Sequence, residues 1–191
     1  MSATPIATNR SATGIPTGKL AVWWLLGSEI VIFGGVLVPY ILFRLSHGPW
    51  EAHAANTNTV IGATNTVILL TSSFFAVTAH KHAEEGDGKG ASKWLWFTIL
   101  GALVFLCLKS FEWYTEISHG YTITANTFWS FYYTAAGIHA GHVIAGAILM
   151  VWVARTAARG EHLHRVENVG IYWHFVDLVW IFLFPLLYIA K

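Results

Sequence analysis

Five long apolar segments constrain the fold of this 191-residue chain more than any other feature of its sequence. A bilayer core of about 30 Å is crossed by about 20 helical residues. The segments run over residues 20–45, 59–80, 94–114, 127–153 and 168–189. Each is about twice as long as a strand of a transmembrane β-barrel. The sequence therefore predicts an all-α, polytopic membrane protein, built as a bundle of five transmembrane helices.

The composition excludes most soluble classes of protein. Hydrophobic residues make up 55% of the chain and charged residues 11%, whereas about 25% of the residues of an average soluble domain are charged. A formal net charge of +1, without a basic run, gives no support for nucleic-acid binding. The single cysteine, Cys107, rules out an internal disulfide and a cysteine-based metal cluster.

The lysine and arginine residues predict the orientation, because cytoplasmic segments carry an excess of them. Eight fall in the N-terminal arm and in the loops on one side: Arg10, Lys19, Lys81, Lys89, Lys93, Arg155, Arg159 and Arg165. Arg44 and Lys191 fall on the other side, and Lys109 lies within a span. We therefore expect a multi-pass protein of the bacterial inner (plasma) membrane, with a cytoplasmic N-terminus and a C-terminus outside. The second segment is rich in Thr and Ser, but a count of four helices would break this charge pattern.

The first 19 residues form a polar arm without the apolar core of a secretory signal peptide. Pro5, Gly14 and Pro16 favour a mobile or extended arm that lies on a partner. No segment outside the spans is large enough to form an enzyme domain. We therefore expect residues 20–191 to form one transmembrane domain, which carries the function inside the bilayer.

Ionisable residues within membrane spans are costly and usually face protein or water. Glu29 lies close to the middle of the membrane, about 14 Å along the first helix at 1.5 Å per residue. We expect an isolated carboxyl at that depth to hold its proton at neutral pH. Two interpretations stay open: an acid that supports proton uptake or contacts lipid, or a structural acid bonded to Ser28 or to a neighbouring helix.

Two pairs of ionisable residues have the i, i+3 spacing that places both on one helical face. Lys109 and Glu112 are expected to form a structural ion pair, although Lys109 could also extend outward to the membrane surface. His174 and Asp177 are expected to form a second pair, in which the carboxylate orients the imidazole. Structural roles are favoured for both.

His139 and His142 on the fourth segment raise the question of haem or copper ligation. Two histidines on one helix cannot approach one haem from opposite faces, so a haem would need His174 as the opposing ligand. We therefore expect no metal or haem in this chain. A small-residue face for close packing against a partner helix is the better interpretation, and it consists of Gly137, Ala140, Gly141 and Gly146.

The fifth segment carries the motif YWHFVDLVWIFLF over residues 172–184, which closely resembles the last helix of subunit III of haem–copper terminal oxidases. Four further motifs are similar to that family in the same order: WLLGSE at 24–29, NTVILLTSS at 65–73, FEW at 111–113 and TAAGIHAGHVI at 134–144. The resemblance covers nearly everything after Lys19. It is to the five-helix form, because members with seven helices carry two more at the N-terminus. Lys109 stands where the family pattern has a neutral polar residue.

The resemblance implies an accessory subunit that stabilises subunit I and supports proton uptake in a proton-pumping oxygen reductase, with cytochrome c oxidase as the favoured branch. It implies contact with subunit I above all, then with subunit II and a small subunit IV, and membership of a respiratory supercomplex. Haem and copper would lie in subunits I and II, and no catalytic centre is expected here. The family motifs include Glu29, Glu112, His139, His142, His174 and Asp177. Phospholipid is a candidate ligand, with Arg155 and Arg159 as its headgroup contacts.

Three other functions stay open at this point. One is the homologous small subunit that accompanies nitric oxide reductases. A second is a membrane cytochrome b that binds haem through His139, His142 and His174. A third is a small proton-coupled transporter that uses Glu29 and Asp177.

Overall fold

A computed structural model describes residues 17–47 and 57–189 of the chain. It contains five α-helices, labelled α1 to α5 in chain order: Thr17–His47, Thr59–Glu84, Gly88–Ser118, Thr127–Ala157 and His164–Phe184. All five are long and apolar enough to cross a membrane. The predicted all-α fold with five membrane helices is therefore confirmed. Residues 1–16 of the predicted polar arm lie outside the described residues, and residues 17–19 form the start of α1.

The helices extend further than their apolar segments, most clearly between α2 and α3. Hydropathy locates the part of a helix inside the membrane, but backbone hydrogen bonding continues into the charged residues beyond it. The connection comprises only residues 85–87, and Gly86 adopts a φ of 79° that favours glycine. Asp87 caps α3, since its Oδ1 accepts a hydrogen bond of 2.9 Å from the Gly90 N–H. The Gly90 N–H, helped by the nearby His82, holds the pKa of Asp87 below its ordinary value.

Helices α2 to α5 form the core of the bundle, and α1 packs on its outside against α5 and α4. Large aromatic side chains fill the core, and three tryptophans are almost completely buried: Trp129, Trp173 and Trp180. At one end of the bundle α3 approaches α4 so closely that a Cβ on Gly88 would collide with the Ala157 carbonyl. Small residues allow this kind of close contact between membrane helices.

One face of α1 is buried against the rest of the bundle, and it carries Leu26, Glu29, Phe33 and Tyr40. Near the N-terminal end of α1, Lys19 Nζ lies 2.6 Å from Glu167 Oε1 of α5. Near its C-terminal end, the Tyr40 hydroxyl donates a hydrogen bond of 2.6 Å to the Leu186 carbonyl. These two contacts fix the rotation of α1 and turn Glu29 toward the bundle.

A π-helical turn, Pro185–Ile189, continues α5. Proline has no N–H to donate to the preceding turn, so an α-helical ladder is interrupted here. The turn leaves Leu187 and Tyr188 buried. The Tyr188 hydroxyl thereby reaches the polar centre of the bundle, which the sequence did not predict.

Candidate functional site

Glu29 of α1 and His142 of α4 form a largely buried polar contact between the two helices. His142 Nε2 lies 2.7 Å from Glu29 Oε2, although the direction is outside hydrogen-bond geometry. The Glu29 side chain is 7% exposed and that of His142 is 20% exposed. The Phe33 ring stands 5.3 Å from the imidazole, and the Tyr172 hydroxyl donates to the His142 carbonyl. Glu29 therefore lies beside an ionisable residue of a neighbouring helix, and both interpretations of this acid stay predictions.

The contacts of His142 show which of its nitrogens carries hydrogen. Its Nδ1 lies 2.8 Å from the Ile138 carbonyl oxygen, and a carbonyl only accepts, so Nδ1 is the donor. Nε2 is therefore the nitrogen that faces the Glu29 carboxyl, with 2.7 Å between Nε2 and Oε2.

Lys109 of α3 lies at the centre of a second polar group, which we call the Lys109 cluster: Lys109, Glu112, Glu116, Tyr132, Tyr133 and Tyr188. Its ammonium donates to Glu112 Oε2 at 3.0 Å, to the Tyr132 hydroxyl at 2.8 Å and to the Tyr188 hydroxyl. The Tyr132 hydroxyl donates a hydrogen bond of 2.9 Å to Glu116 Oε1, and the Tyr188 hydroxyl donates one of 3.0 Å to Glu112 Oε2. The whole group is held together by directed hydrogen bonds.

The environment of Lys109 shows why a lysine is stable at this depth. Its side chain is 2% exposed, and its three N–H groups all have acceptors. The ammonium also lies 4.5 to 5.6 Å from the centres of four aromatic rings: Trp113, Tyr132, Trp180 and Tyr188. The predicted ion pair with Glu112 is confirmed, and the alternative of an outward-extending lysine is wrong, because the ammonium points into the bundle.

Glu116 is the member of the Lys109 cluster that sequence reasoning missed on α3. It is 5% exposed, and it follows Lys109 and Glu112 on the same helical face. The i, i+3, i+7 spacing of the three residues is the signal that could have identified it. The two tyrosines of α4 and the π-helical turn come from distant parts of the chain and gave no such signal.

His174 and Asp177 of α5 do not form the predicted pair. His174 Nδ1 lies 2.5 Å from the Ser73 hydroxyl of α2. Asp177 is 3% exposed, and neither of its carboxyl oxygens has a hydrogen-bond partner among the described residues. The i, i+3 spacing places both side chains on one face, but the hydroxyl of α2 competes for the imidazole.

His139 lies between aromatic rings rather than beside other ligating groups. It is fully buried, and its ring stacks on Trp180 with 5.1 Å between the ring centres. The Phe105 ring is nearly perpendicular to it, with 5.6 Å between the centres. Among the described residues, no three His, Cys, Asp or Glu side chains converge as a metal-binding group. The three histidines have separate neighbours: His139 contacts Trp180, His142 contacts Glu29 and His174 contacts Ser73.

The glycines of α4 serve two different surfaces. A Cβ on Gly146 would lie 3.1 Å from the rings of Tyr172 and Trp173, so this glycine packs inside the chain, against α5. A Cβ on Gly137 or Gly141 would meet nothing within 4 Å. The predicted small-residue face is thus divided, and only Gly137 and Gly141 leave space for another helix.

Arg155 lies in the last turn of α4 and Arg159 just after that helix, and both are exposed. The Arg159 Nε–H donates to the Arg155 carbonyl at 3.3 Å. Their contact with a lipid headgroup stays a prediction.

Comparison with known proteins gives consistent matches over nearly the whole chain. Residues 20–191 match the family model described as cytochrome c oxidase subunit III. A protein named cytochrome c oxidase subunit 3 from Thermostichus vulcanus is 35% identical, over 85% of this chain and 82% of its own length. A protein of that name from Corynebacterium diphtheriae is 33% identical, over 87% of this chain and 84% of its own. Another from Bacillus sp. (strain PS3) is 32% identical, over 97% and 92%.

Proposed function

The chain belongs to the cytochrome c oxidase subunit III family, and on that premise we propose that it stabilises subunit I and supports proton uptake into it. As a subunit III it is part of a haem–copper oxidase complex, and it is a multi-pass bacterial membrane protein. The observation that carries the finer proposal is the contact of 2.7 Å between Glu29 and His142.

The Glu29–His142 pair supports a role in proton handling because a carboxyl and an imidazole, both of which can bind and release a proton, lie 2.7 Å apart. His142 Nδ1 is committed to the Ile138 carbonyl, so exchange with the surroundings occurs through Nε2 and the carboxyl. The pair lies between α1 and α4, and His142 is its more exposed member. A partner helix on this side would reach the imidazole before the carboxyl.

The surface beside this pair supports docking of subunit I. Gly141 precedes His142 and is exposed, and Gly137 lies one turn earlier on α4. The open space over both glycines permits the close backbone approach by which membrane helices associate. Subunit I would then cover the proton-holding pair. Subunits II and IV, a supercomplex and bound phospholipid stay predictions.

Measurements on the oxidase that contains Glu29→Gln test the proposal. Glutamine keeps the size and hydrogen-bonding capacity of the side chain, but it cannot release a proton. We expect lower turnover at high pH or a shorter catalytic lifetime, with unchanged haem content and assembly. Glu161→Gln, at an exposed residue between α4 and α5, is the matched control. Glu29→Leu should instead reduce stability, because it leaves His142 Nε2 without a partner.

Two results decide between proton handling and a structural role. If the two residues act as one unit, His142→Gln should reproduce the Glu29→Gln phenotype, and the double variant should be no worse than either single one. Unchanged turnover, pH profile and lifetime in Glu29→Gln would leave the pair a purely structural contact. Complete loss of oxygen reduction in a normally assembled complex would contradict an accessory role.

We also propose that the chain works without a haem or metal of its own, with the redox centres in its partner subunits. The separate neighbours of His139, His142 and His174 support this proposal. Metal analysis and an optical spectrum of the separately expressed chain test it. Stoichiometric haem that disappears on replacement of His139 or His174 would favour the cytochrome b function.

A further inference from the structure

We propose that Asp177 of α5 is a second proton-exchanging carboxyl of this chain, connected by Ser73 and His174 to a cleft between α2 and α5. The Glu29–His142 contact lies between α1 and α4, so this site is separate from it and the inference does not depend on the proposed function. The site would hold one proton inside the bundle and exchange it with the aqueous phase through the cleft.

The first observation is the position of the Asp177 carboxyl. Asp177 lies about 20 Å along α5, counted from His164 at 1.5 Å per residue, and it is 3% exposed. Neither of its oxygens has a hydrogen-bond partner among the residues that the structure describes. A buried carboxylate without a partner is far more costly than a neutral carboxylic acid. The environment therefore favours the acid form, with one hydrogen on the carboxyl.

The second observation is that Asp177 lies on the face of α5 that contacts α2. His174, one turn earlier, has its Nδ1 2.5 Å from the Ser73 hydroxyl of α2. Trp180, one turn later, donates a hydrogen bond of 3.0 Å to Thr66 Oγ1 of α2. Residues three apart on a helix share a face, so the carboxyl lies between these two contacts. The Ser73 hydroxyl interacts with it there, outside hydrogen-bond geometry.

The third observation is the cleft that His174 lines. The cleft has a volume of about 170 Å³ and lies between the last turns of α2 and the first turns of α5. His80, Glu167 and His174 are its ionisable walls. The His174 side chain is half-buried, and Ser73 occupies its Nδ1. Its Nε2 is therefore the nitrogen that remains for the cleft.

The other ionisable groups of the cleft have partners of their own. Glu167 Oε1 lies 2.6 Å from Lys19 Nζ of α1, and His80 Nε2 lies 3.4 Å from Glu84 Oε1 of α2. His80 is the ionisable group of α2 that faces His174. Among the described walls of the cleft, His174 is thus the side chain that connects it to Ser73.

Proton exchange along this path occurs in two steps and requires a rotation of the carboxyl toward Ser73 Oγ. The Asp177 O–H bond breaks as its proton passes to Ser73 Oγ, and the original Ser73 hydroxyl proton passes to His174 Nδ1. The products are a carboxylate, a serine hydroxyl and an imidazolium. The imidazolium then releases its Nε2 proton to the aqueous phase. Uptake of a proton at Nε2 and the reverse transfers restore the acid, so its hydrogen is replaced without net chemical change.

Infrared spectroscopy of the full chain in nanodiscs tests the proposal. The C=O stretching band of a carboxylic acid shifts when its hydrogen is replaced by deuterium, so transfer into heavy water measures the exchange rate. We expect Asp177→Asn to remove one component of this band, which identifies Asp177. Ser73→Ala and His174→Phe should keep that component and slow its exchange by at least about tenfold, since loss of a relay group raises the barrier by more than about 1.36 kcal/mol.

Ser72→Ala is the matched control, because Ser72 is a buried hydroxyl of α2 that also bonds to α5, through Trp173 Nε1 at 3.1 Å, but lies outside the path. It should leave the exchange rate unchanged. Glu29→Gln should also leave the Asp177 component and its exchange unchanged, so the outcome here is independent of the role of Glu29.

Three results would overturn the proposal. One is a band that Asp177→Asn leaves unchanged, because Asp177 would then be ionised. Another is exchange that does not slow in Ser73→Ala and His174→Phe, which would mean that the hydrogen leaves by a different route. The third is equal slowing in Ser72→Ala, which would attribute the effect to packing between α2 and α5. Ser73→Ala alone decides the matter if His174→Phe does not fold.

Discussion

Replacement of Lys109 by methionine measures how far the Lys109 cluster stabilises the bundle. Methionine retains most of the apolar length but removes three hydrogen bonds and the charge that faces Glu112, a residue only 1% exposed. The variant is expected to place a proton on that carboxyl. A carboxyl that ionises near pH 4.3 in water requires about 1.36 kcal/mol per pH unit to stay protonated, about 3.7 kcal/mol at pH 7. The free energy of unfolding should therefore fall by about 3 to 4 kcal/mol, within the range of about 3–5 kcal/mol for a broken buried pair.

Reversible unfolding of the full chain in mixed micelles, followed by tryptophan fluorescence, measures this loss. The double variant Lys109→Met/Glu112→Gln removes both charges and should regain about half of the stability or more, since the amide still accepts from Tyr188. The loss in the single variant should also diminish by up to about 1.36 kcal/mol for each unit by which the pH is lowered toward 5. Lys93→Met, at an exposed position of α3, should stay within about 0.5 kcal/mol of wild type. A double variant as unstable as the single one, with no dependence on pH, would attribute the loss to packing and refute the electrostatic reasoning.

Three further predictions follow from the close contacts and the helix cap. Gly141→Leu should leave the chain folded and reduce the amount of subunit I that co-purifies with it. Gly146→Leu should instead lower the stability of the chain itself, because aromatic rings of α5 lie 3.1 Å from the position of a Cβ on Gly146. Full recovery of subunit I with Gly141→Leu would remove the docking role of that surface. Gly88→Ala should destabilise the chain, as its methyl group would collide with a backbone carbonyl of α4; an unchanged melting temperature would contradict this. Since the pKa of Asp87 is held below its ordinary value, chiefly by the Gly90 N–H, its cap stabilises the hairpin above the ordinary aspartate pKa and is lost as pH falls through the lowered one. Exchange of the Gly90 amide, relative to its intrinsic rate, should then accelerate at low pH, and it should become insensitive to pH in Asp87→Asn.

The number and type of the helices could be predicted because the membrane imposes one length on every apolar segment. The ends of the helices could not be predicted, because hydropathy changes at the membrane surface whereas the helices continue beyond it. Hydropathy places Lys89 and Lys93 in a loop, but both lie on the first turns of α3, with Asp87 as its cap. The cap itself is visible in the sequence, because Asp87 stands three residues before Gly90 and its side chain can accept a hydrogen bond from the Gly90 N–H. A charged stretch therefore conceals a helix start unless the cap is sought.

The pairs within one helix show how far spacing alone predicts a contact. Lys109 and Glu112 form their expected pair because both side chains face the interior. The other acceptors around the ammonium leave one of its hydrogens for Glu112. His174 and Asp177 have the same spacing, yet the Ser73 hydroxyl of α2 binds the imidazole instead. The spacing predicts only that two side chains lie on the same face of a helix. The competing groups on the neighbouring helix decide whether they meet.

The contact between Glu29 and His142 joins residues from the first and fourth helices, and it depends on the rotation of α1 about its own axis. One residue of slippage would turn Glu29 by about 100°, away from α4 and toward the lipid. That rotation is fixed far from the carboxyl, by Lys19 against Glu167 at one end and by Tyr40 against the Leu186 carbonyl at the other. The second of these acceptors belongs to the π-helical turn after Pro185, which hydropathy does not reveal. The buried acid is therefore evident from the sequence, whereas its histidine neighbour follows only from the packing of α1 on α4 and α5.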